Sequence, residues 1–455
     1  MKKIFRIDKE LFKVTSSAGT VTLFAFLIPM LFENVMSVFH STASAAILSF
    51  YSENAVAAVG AANGIINIAT LFFSAVSMGA TVLISTAIGA GKMKKSRELS
   101  FSALLAAIII ALVITPVLIC MSDSLVGSLN LTGEVFTQAK LYLNVRMGFI
   151  VFNAISAVAL GILRCYGYPK YTFIVMTAVN IIHILICAVV VFLPEIVPLK
   201  GVCGVAVAGA LSTFAGTVIT IVLLVRLKIQ IVRPHSRKRL LKHIGNILKI
   251  GIPSVISGAS FTVSQTIATS YVALIGDYAL SAKVYFSNIL SYVYLFSLCA
   301  GSANALLVGR CYGGGDMEKA DKMNRQLIKL TGGVNFIMSV IVILLRRQLI
   351  GIFTDNELII NISTVIFCVD VITEQARAVS HVYEYSLRAI GDVLYSTVVL
   401  IISCWAFSVG FSYLLAIKYG IGLLGCWIGL AIDESIRAGV TYFRWKKIYR
   451  RKYDK

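Results

Sequence analysis

One helix-length segment, residues 367–392, carries several ionisable side chains on an otherwise apolar background. They are Asp370, Glu374, Arg377, His381 and Glu384, spaced four, three, four and three residues apart. At about 100° per residue they project within an arc of roughly 80°, so they form one charged stripe on one face of a helix. A charged group at the centre of a bilayer costs about 2.5–3.5 kcal/mol on insertion scales. The charged stripe must therefore face protein or a water-filled cavity.

The charged stripe has two interpretations. In the functional one, its carboxylates and His381 bind protons, sodium or substrate, and Asp370 with Glu374 are the candidate sodium ligands. In the structural one, Arg377 forms an internal ion-pair ladder with Glu374 and Glu384 along the helix. The functional interpretation is favoured because the charged stripe contains His381 and more carboxylates than are required to neutralise the charge of one arginine.

Other polar residues lie in apolar segments and are candidates for the same cavity. Glu33 and His40 are seven residues apart on one face of the first apolar segment. Gln265, Asn288 and Tyr292 combine amide groups with an aromatic ring, a composition that suits bulky cations. Asp433 and Arg437, four residues apart in the last apolar segment, are best interpreted as a structural ion pair.

The composition of the 455-residue chain is that of a polytopic membrane protein, because 58% of its residues are hydrophobic and only 14% are charged. Twelve apolar windows of about 20 residues predict an all-α protein with twelve transmembrane helices. They are residues 18–41, 56–89, 98–122, 136–163, 171–193, 201–225, 244–275, 280–308, 323–345, 358–387, 395–417 and 423–443.

The net charge of +20 is explained by basic residues on the predicted cytoplasmic side of the membrane and does not indicate a nucleic-acid partner. Most Lys and Arg residues fall on one side of the twelve predicted helices when both chain ends are placed in the cytoplasm. This distribution follows the positive-inside rule and predicts a cytoplasmic N-terminus and C-terminus. The lipid bilayer and a small-molecule substrate are the expected partners, and we expect a monomer.

The two halves of the chain are copies of each other. When the second half is laid on the first, Pro253 falls on Pro29 and Arg388 falls on Arg164 without a gap between them. We therefore predict two six-helix lobes related as parallel repeats, residues 1–225 and 244–455, joined by a basic cytoplasmic linker at residues 226–243.

Several short stretches resemble the multidrug and toxic compound extrusion (MATE) family of transporters, and the resemblance covers nearly the whole chain. They are IPMLFEN after Leu27, AVAAVG ending at Gly60, IGAGKMKKS from Ile88, GVCGVAVAGALST from Gly201, GIPSVISG from Gly251, LVGRCYGGGDMEKA from Leu307 and LRAIGD from Leu387. The resemblance implies a secondary antiporter that exports organic, typically cationic and drug-like, compounds in exchange for protons or sodium by rocking of two lobes. It also implies a multi-pass protein of a bacterial inner (plasma) membrane with no cofactor besides the coupling ion.

Three positions depart from the pattern of this family. Ser44 stands where many relatives have an acidic residue, His183 lies next to another commonly acidic position, and Lys283 stands where Asn is common. These departures keep a second hypothesis open, a flippase for a lipid-linked or anionic polar substrate of the same superfamily. An intramembrane enzyme is disfavoured, since the sequence has no H-E-x-x-H motif, no second Asp-rich motif and no nucleophile motif.

Overall fold

The computed structural model describes residues 8–193 and 201–453, except residues 9, 18, 129, 130 and 132. A short antiparallel hairpin, β1 (Lys13–Ser16) and β2 (Gly19–Thr22), precedes the first helix. The helices of the first half are α1 (Leu23–Ser49), α2 (Glu53–Gly89), α3 (Met93–Cys120), α4 (Ser122–Gly127), α5 (Gly133–Gly148), α6 (Ile150–Cys165), α7 (Pro169–Phe192) and α8 (Gly201–Arg226).

The second half repeats this order. Its helices are α9 (Arg237–Ile275), α10 (Asp277–Gly314), α11 (Met317–Leu344), α12 (Arg346–Gly351), α13 (Glu357–Ala389), α14 (Val393–Lys418) and α15 (Leu423–Tyr453). Helix α14 contains two π-helical turns, Cys404–Val409 and Tyr413–Lys418. Each of the twelve apolar windows overlaps a helix, or the α5–α6 pair, in the described part of the chain.

Nine of the described helices are long and apolar enough to cross a membrane, and the α5–α6 pair, bent by 54°, provides a tenth span. Helices α13 and α15, which have 33 and 31 residues, are also long enough for a bilayer and carry most of the buried charges. The sequence prediction of twelve long helices is therefore confirmed. The cytoplasmic location of the two ends stays a prediction.

The repeat is visible in the element bounds. In the alignment that lays Pro29 on Pro253, helix α3 coincides with α11 at both ends, and the α5–α6 pair coincides with α13. The two lobes differ at one point of this alignment, since α13 is continuous where its counterpart breaks at Phe149.

The connection between the halves is shorter than expected. Residues 237–243, which the sequence assigns to the linker, form the first turns of α9. The reason is that Ser236 caps this helix, because its side chain accepts a hydrogen bond from the Arg239 backbone N–H.

The two lobes touch closely where α2 crosses α9 and α10. A Cβ added at Gly79 would lie 2.0 Å from the Ile247 carbonyl oxygen, and one added at Gly251 would lie 1.9 Å from that of Ala75. A Cβ added at Gly313 would lie 2.1 Å from the Thr86 carbonyl oxygen. Glycine is therefore required for the backbones to approach this closely.

The N-terminal hairpin packs at the same end of the bundle. Ser17 donates a hydrogen bond to the Ile88 carbonyl at 3.0 Å, and Arg310 donates to Ser16 Oγ at 3.1 Å and to the Cys165 carbonyl at 2.6 Å. Because Arg310 belongs to α10 and Cys165 to α6, these bonds join the hairpin to both lobes.

Candidate functional site

A network of buried ionisable residues lies between α13 and α15 in the second lobe. We call it the charged network. Its members are Asp370, Glu374, Arg377, His381, Glu384, Arg388, Asp433, Glu434 and Arg437, and each is at most 9% exposed. The two helices that carry it pack directly against each other.

Glu434 lies at the centre of the charged network. Its Oε1 atom forms an ion pair with Arg437 Nη2 at 2.7 Å. The carboxylate also accepts hydrogen bonds from Arg377 Nε at 3.3 Å and from Ser380 Oγ at 3.1 Å. Sequence reasoning missed this residue. Its position beside Asp433 and three residues before Arg437 was the available signal, because that spacing allows an ion pair within one helical turn.

The predicted pair of Asp433 and Arg437 is in place, with 3.2 Å between Asp433 Oδ2 and Arg437 Nη2. Asp433 also accepts a hydrogen bond from the Ser403 hydroxyl of α14. The pair is joined through Glu434 to Arg377, so it is part of a larger cluster and not an isolated pair.

The ladder expected along α13 forms only in part. Arg377 Nη1 lies 2.6 Å from Glu374 Oε1, as the spacing predicted, and the guanidinium lies over the Tyr294 ring at 4.8 Å. The expected pairing of Arg377 with Glu384 was wrong, because Glu384 pairs with Arg388 four residues later. Seven residues separate Arg377 from Glu384, about two turns or 10 Å along the helix.

Asp370 and His381 hold buried atoms without a hydrogen-bond partner among the described residues. These atoms are Asp370 Oδ2 and His381 Nδ1, and the Asn335 Oδ1 oxygen shares this property. Asn335 Nδ2 donates to Glu374 Oε2 at 3.3 Å, so its amide group lies beside the carboxylates of α13. An unpaired buried carboxylate oxygen is costly, and a proton or a cation bound to it removes that cost.

The charge count of the network favours uptake of a positive ion. Five carboxylates, Asp370, Glu374, Glu384, Asp433 and Glu434, face three arginines, Arg377, Arg388 and Arg437. With every carboxylate ionised and His381 neutral, the cluster would carry two negative charges away from water. Buried charge of this kind requires compensation by protons or bound cations.

No group of three or more His, Cys, Asp or Glu residues within the described ranges is arranged to hold a metal ion. A sodium site at Asp370 and Glu374 would therefore need oxygen ligands of other kinds. The free Oδ1 atom of Asn335 is one such oxygen.

Glu33 and His40 lie in the first lobe, and no described hydrogen bond or ion pair connects them with the charged network. Glu33 is 7% exposed, pairs with Arg164 Nη2 at 2.5 Å and accepts a hydrogen bond from Thr172 Oγ1. His40 pairs with His183, at 2.8 Å between Nε2 and Nδ1. The proposal that Glu33 and His40 act together is not supported by this arrangement, since each has a different partner.

The predicted cluster of Gln265, Asn288 and Tyr292 is not assembled in the described structure. Gln265 donates to Ser408 Oγ at 3.2 Å, whereas Asn288 and Tyr292 lie on an exposed face of α10. Tyr285, one turn before Asn288 on α10, stacks on Phe353.

A cavity of about 350 Å³ lies between the lobes and is lined by Arg164 and Arg388. The two arginines make equivalent contacts in the two repeats. Arg164 binds Glu33, and Arg388 Nη2 donates to Ser257 Oγ at 3.0 Å, where Ser257 is the repeat counterpart of Glu33. Both lobes thus have an arginine at this position, but its carboxylate partner comes from a different helix in each. Arg164 pairs with Glu33 of α1 in the first lobe, and Arg388 pairs with Glu384 of α13 in the second.

Two six-helix lobes around buried charged groups define the class of this protein as a membrane-transporter fold. The comparisons with known proteins agree. A family model described as MatE matches residues 29–189 and 253–414, two segments that begin at the repeat-related prolines Pro29 and Pro253.

Two curated bacterial proteins are similar over almost their whole length. The chain is 32% identical over 431 residues to an uncharacterized transporter, YisQ, of Bacillus subtilis, with 94% of each chain covered. It is 29% identical over 438 residues to a probable multidrug resistance protein, NorM, of Thermotoga maritima, with 93% of each covered.

Solved structures show the same fold. A structure described as the outward-facing conformation of a multidrug resistance MATE family transporter matches with a TM-score of 0.86 at 20% identity, covering 98% of this chain and 99% of that one. A MOP superfamily transporter from Pyrococcus furiosus, whose description names a reversed polarity of the binding pocket, matches with a TM-score of 0.84 at 20% identity, covering 95% and 96%.

The chain belongs to the MATE family. It is a multi-pass membrane transporter and not an enzyme, as the sequence predicted, and export of drugs or other compounds is the activity that family membership supports.

Proposed function

We propose that this protein is a secondary antiporter that exports small organic compounds in exchange for protons or sodium ions, and that the charged network is its ion-coupling site. The observation that carries the proposal is the excess of two buried carboxylates over arginines in the second lobe. Asp370 is the residue we assign to ion binding, because one of its oxygens is buried without a hydrogen-bond donor.

Ion binding would be linked to the lobe arrangement through helix packing. The charged network joins α13 to α15, and Ser403 ties α14 to the same cluster. Neutralising a carboxylate redistributes the arginines among the remaining acids, and a ligand that binds one arrangement better shifts the population toward it. If the N-terminus is cytoplasmic, the close contacts of α2 with α9 and α10 at Gly79, Gly251 and Gly313 would close the space between the lobes on the cytoplasmic side.

The membrane that we propose is the plasma membrane of a bacterium. The two curated bacterial relatives support this location, and the basic residues on the proposed cytoplasmic side agree with it.

The test is transport in proteoliposomes. The probe is ethidium, an organic cation of the class that the family resemblance implies, and its movement is followed under an imposed pH gradient and, separately, an imposed sodium gradient. Movement driven by one gradient and lost in Asp370→Asn would support the proposal. Asp392→Asn is the matched control, because Asp392 pairs with Arg444 outside the charged network.

A second candidate is a flippase for a lipid-linked or anionic polar substrate. The observation that favours it is the pair of arginines, Arg164 and Arg388, lining the cavity between the lobes. It would be supported if neither gradient moved ethidium while the folded protein moved a fluorescent anionic lipid between leaflets.

A further inference from the structure

A second cavity, of about 330 Å³, lies inside the first lobe among α1, α2, α5, α7 and α8. We call it the first-lobe cavity. Its volume is at the lower end of the range for small-molecule sites. Its polar lining residues include His40, Asn63, Tyr142, Arg146 and His183. None of the residues lining this cavity in the described ranges is acidic.

Arg146 gives the first-lobe cavity its charge. It lies in the last turn of α5, about 20 Å along the axis from the start of that helix and near the bend before α6. Its guanidinium lies against the backbone of Gly209, since a Cβ there would be 2.4 Å from Arg146 Nη1. The Nε atom is buried without a hydrogen-bond partner among the described residues. A guanidinium at this depth requires an anion or water as a partner.

Further donors face the same space. His40 Nε2 and His183 Nδ1 share one hydrogen bond at 2.8 Å, so the ring that accepts it keeps its own N–H as a donor and the other ring keeps only an acceptor nitrogen. His183 Nε2 also lies 3.6 Å from Cys187 Sγ. Tyr142 donates to Asn63 Oδ1 at 3.4 Å, so the Asn63 amide retains its NH₂ donors. A guanidinium surrounded by neutral N–H donors suits a carboxylate or phosphate group, because Arg binds both in a bidentate manner.

The internal repeat relates this cavity to the charged network. The alignment that lays Pro29 on Pro253 also lays Arg146 on Asp370, so the two lobes place opposite charges at the same point of the repeat. Both side chains also have a buried polar atom without a partner among the described residues, Nε in Arg146 and Oδ2 in Asp370. The sites are therefore counterparts in position and opposite in the charge they can accept.

We propose that the first-lobe cavity binds a carboxylate or phosphate group of a small organic molecule through Arg146, with one ring of the His40–His183 pair and the Asn63 amide as further donors. The proposal rests on the proposed function in one respect, that this molecule is an exported compound. Exported compounds that carry an anionic group then bind to the first lobe through that group, while the second lobe binds the coupling cation. This assignment extends the substrates beyond the typically cationic compounds that the family resemblance implies.

The test compares small probes that share one ring and differ in charge. Binding of benzoate, benzyl phosphate and benzylamine to the purified full-length protein in nanodiscs is measured by isothermal titration calorimetry, without any gradient. We expect benzoate or benzyl phosphate to bind at least tenfold more tightly than benzylamine. Inorganic phosphate is a fourth probe, and binding of inorganic phosphate as tight as that of benzyl phosphate would overturn the organic part of the proposal.

Two variants test the residue assignment. Arg146→Gln removes the charge, and we expect anion affinity to fall about tenfold to a hundredfold, the range for one charge-assisted contact. Gly209→Ala keeps the charge of Arg146, but the added methyl group forces the guanidinium tip to move, so we expect a smaller loss of anion affinity. The variant should fold, because alanine is a good helix former. Arg226→Gln, at the exposed end of α8, is the control and should bind normally.

Unchanged anion affinity in folded Arg146→Gln, or equal binding of benzoate and benzylamine, would overturn the proposal. If Arg146→Gln does not fold, Gly209→Ala decides the matter, and wild-type affinity in that variant would count against the site. Because binding is measured at equilibrium without a gradient, failure of this site is distinguishable from failure of gradient-driven transport. Anion binding without any transport would contradict the proposed function and leave the site in place.

Discussion

Asp370→Asn should remove ion coupling without destabilising the protein. Asp370 has no described ion pair, and its Oδ2 atom is buried without a donor. Neutralising it therefore removes a desolvation penalty and breaks no salt bridge, so we expect the free energy of unfolding to stay unchanged or to rise by about 1 kcal/mol.

Glu434→Gln provides the contrast. This change removes the negative charge shared by Arg377 and Arg437 and weakens the contact with Ser380. Breaking a buried ion pair costs about 3–5 kcal/mol, and we expect a loss near the lower end of that range. The reason is that Arg377 keeps Glu374 and Arg437 keeps Asp433.

The assay is the apparent melting temperature of each purified variant in one detergent, measured beside gradient-driven ethidium transport. The expected pattern is lost transport in both variants, with a lowered melting temperature only in Glu434→Gln. An equal fall in melting temperature for Asp370→Asn would refute the reasoning, because it would mean that Asp370 is ionised and paired in the resting protein. Normal coupling in Asp370→Asn would refute its assignment to ion binding.

Three further predictions concern other parts of the fold. Glu33→Gln should cost about 1–3 kcal/mol and lower the melting temperature, because Arg164 loses a carboxylate partner at 2.5 Å; a melting temperature equal to wild type would show that this pair contributes nothing. Arg310→Lys should speed trypsin cleavage after Lys13, because the guanidinium bonds that join the hairpin to both lobes are lost; an unchanged cleavage rate would contradict that role. Gly313→Ala should push α10 away from α2 and thereby expose Cys311, which is now 3% exposed. We expect faster maleimide labelling of Cys311, measured by peptide mass spectrometry, and unaltered labelling would show that the contact can relax.

Much of the site could be predicted from helical spacing alone. The charged stripe of α13 is buried, as the cost of exposing charge to lipid requires, and the Glu374–Arg377 and Asp433–Arg437 contacts follow from residues three or four apart on one helix. The contact between α13 and α15 could not be predicted in the same way. Glu434 binds Arg377 across 57 positions of sequence, and helical periodicity carries no information on which faces meet.

The sequence by itself determined the membrane class, the twelve helices and the twofold repeat, because hydrophobic length and internal identity are properties of the chain. Only the tertiary structure decided how the charges pair. It separated Glu33 from His40, joined Asp433 and Arg437 to the charged network, and placed Arg146 in a cavity without a carboxylate among its described lining residues. The physical reason is that burial and pairing depend on neighbours from distant segments, and these neighbours are brought together only when the helices pack.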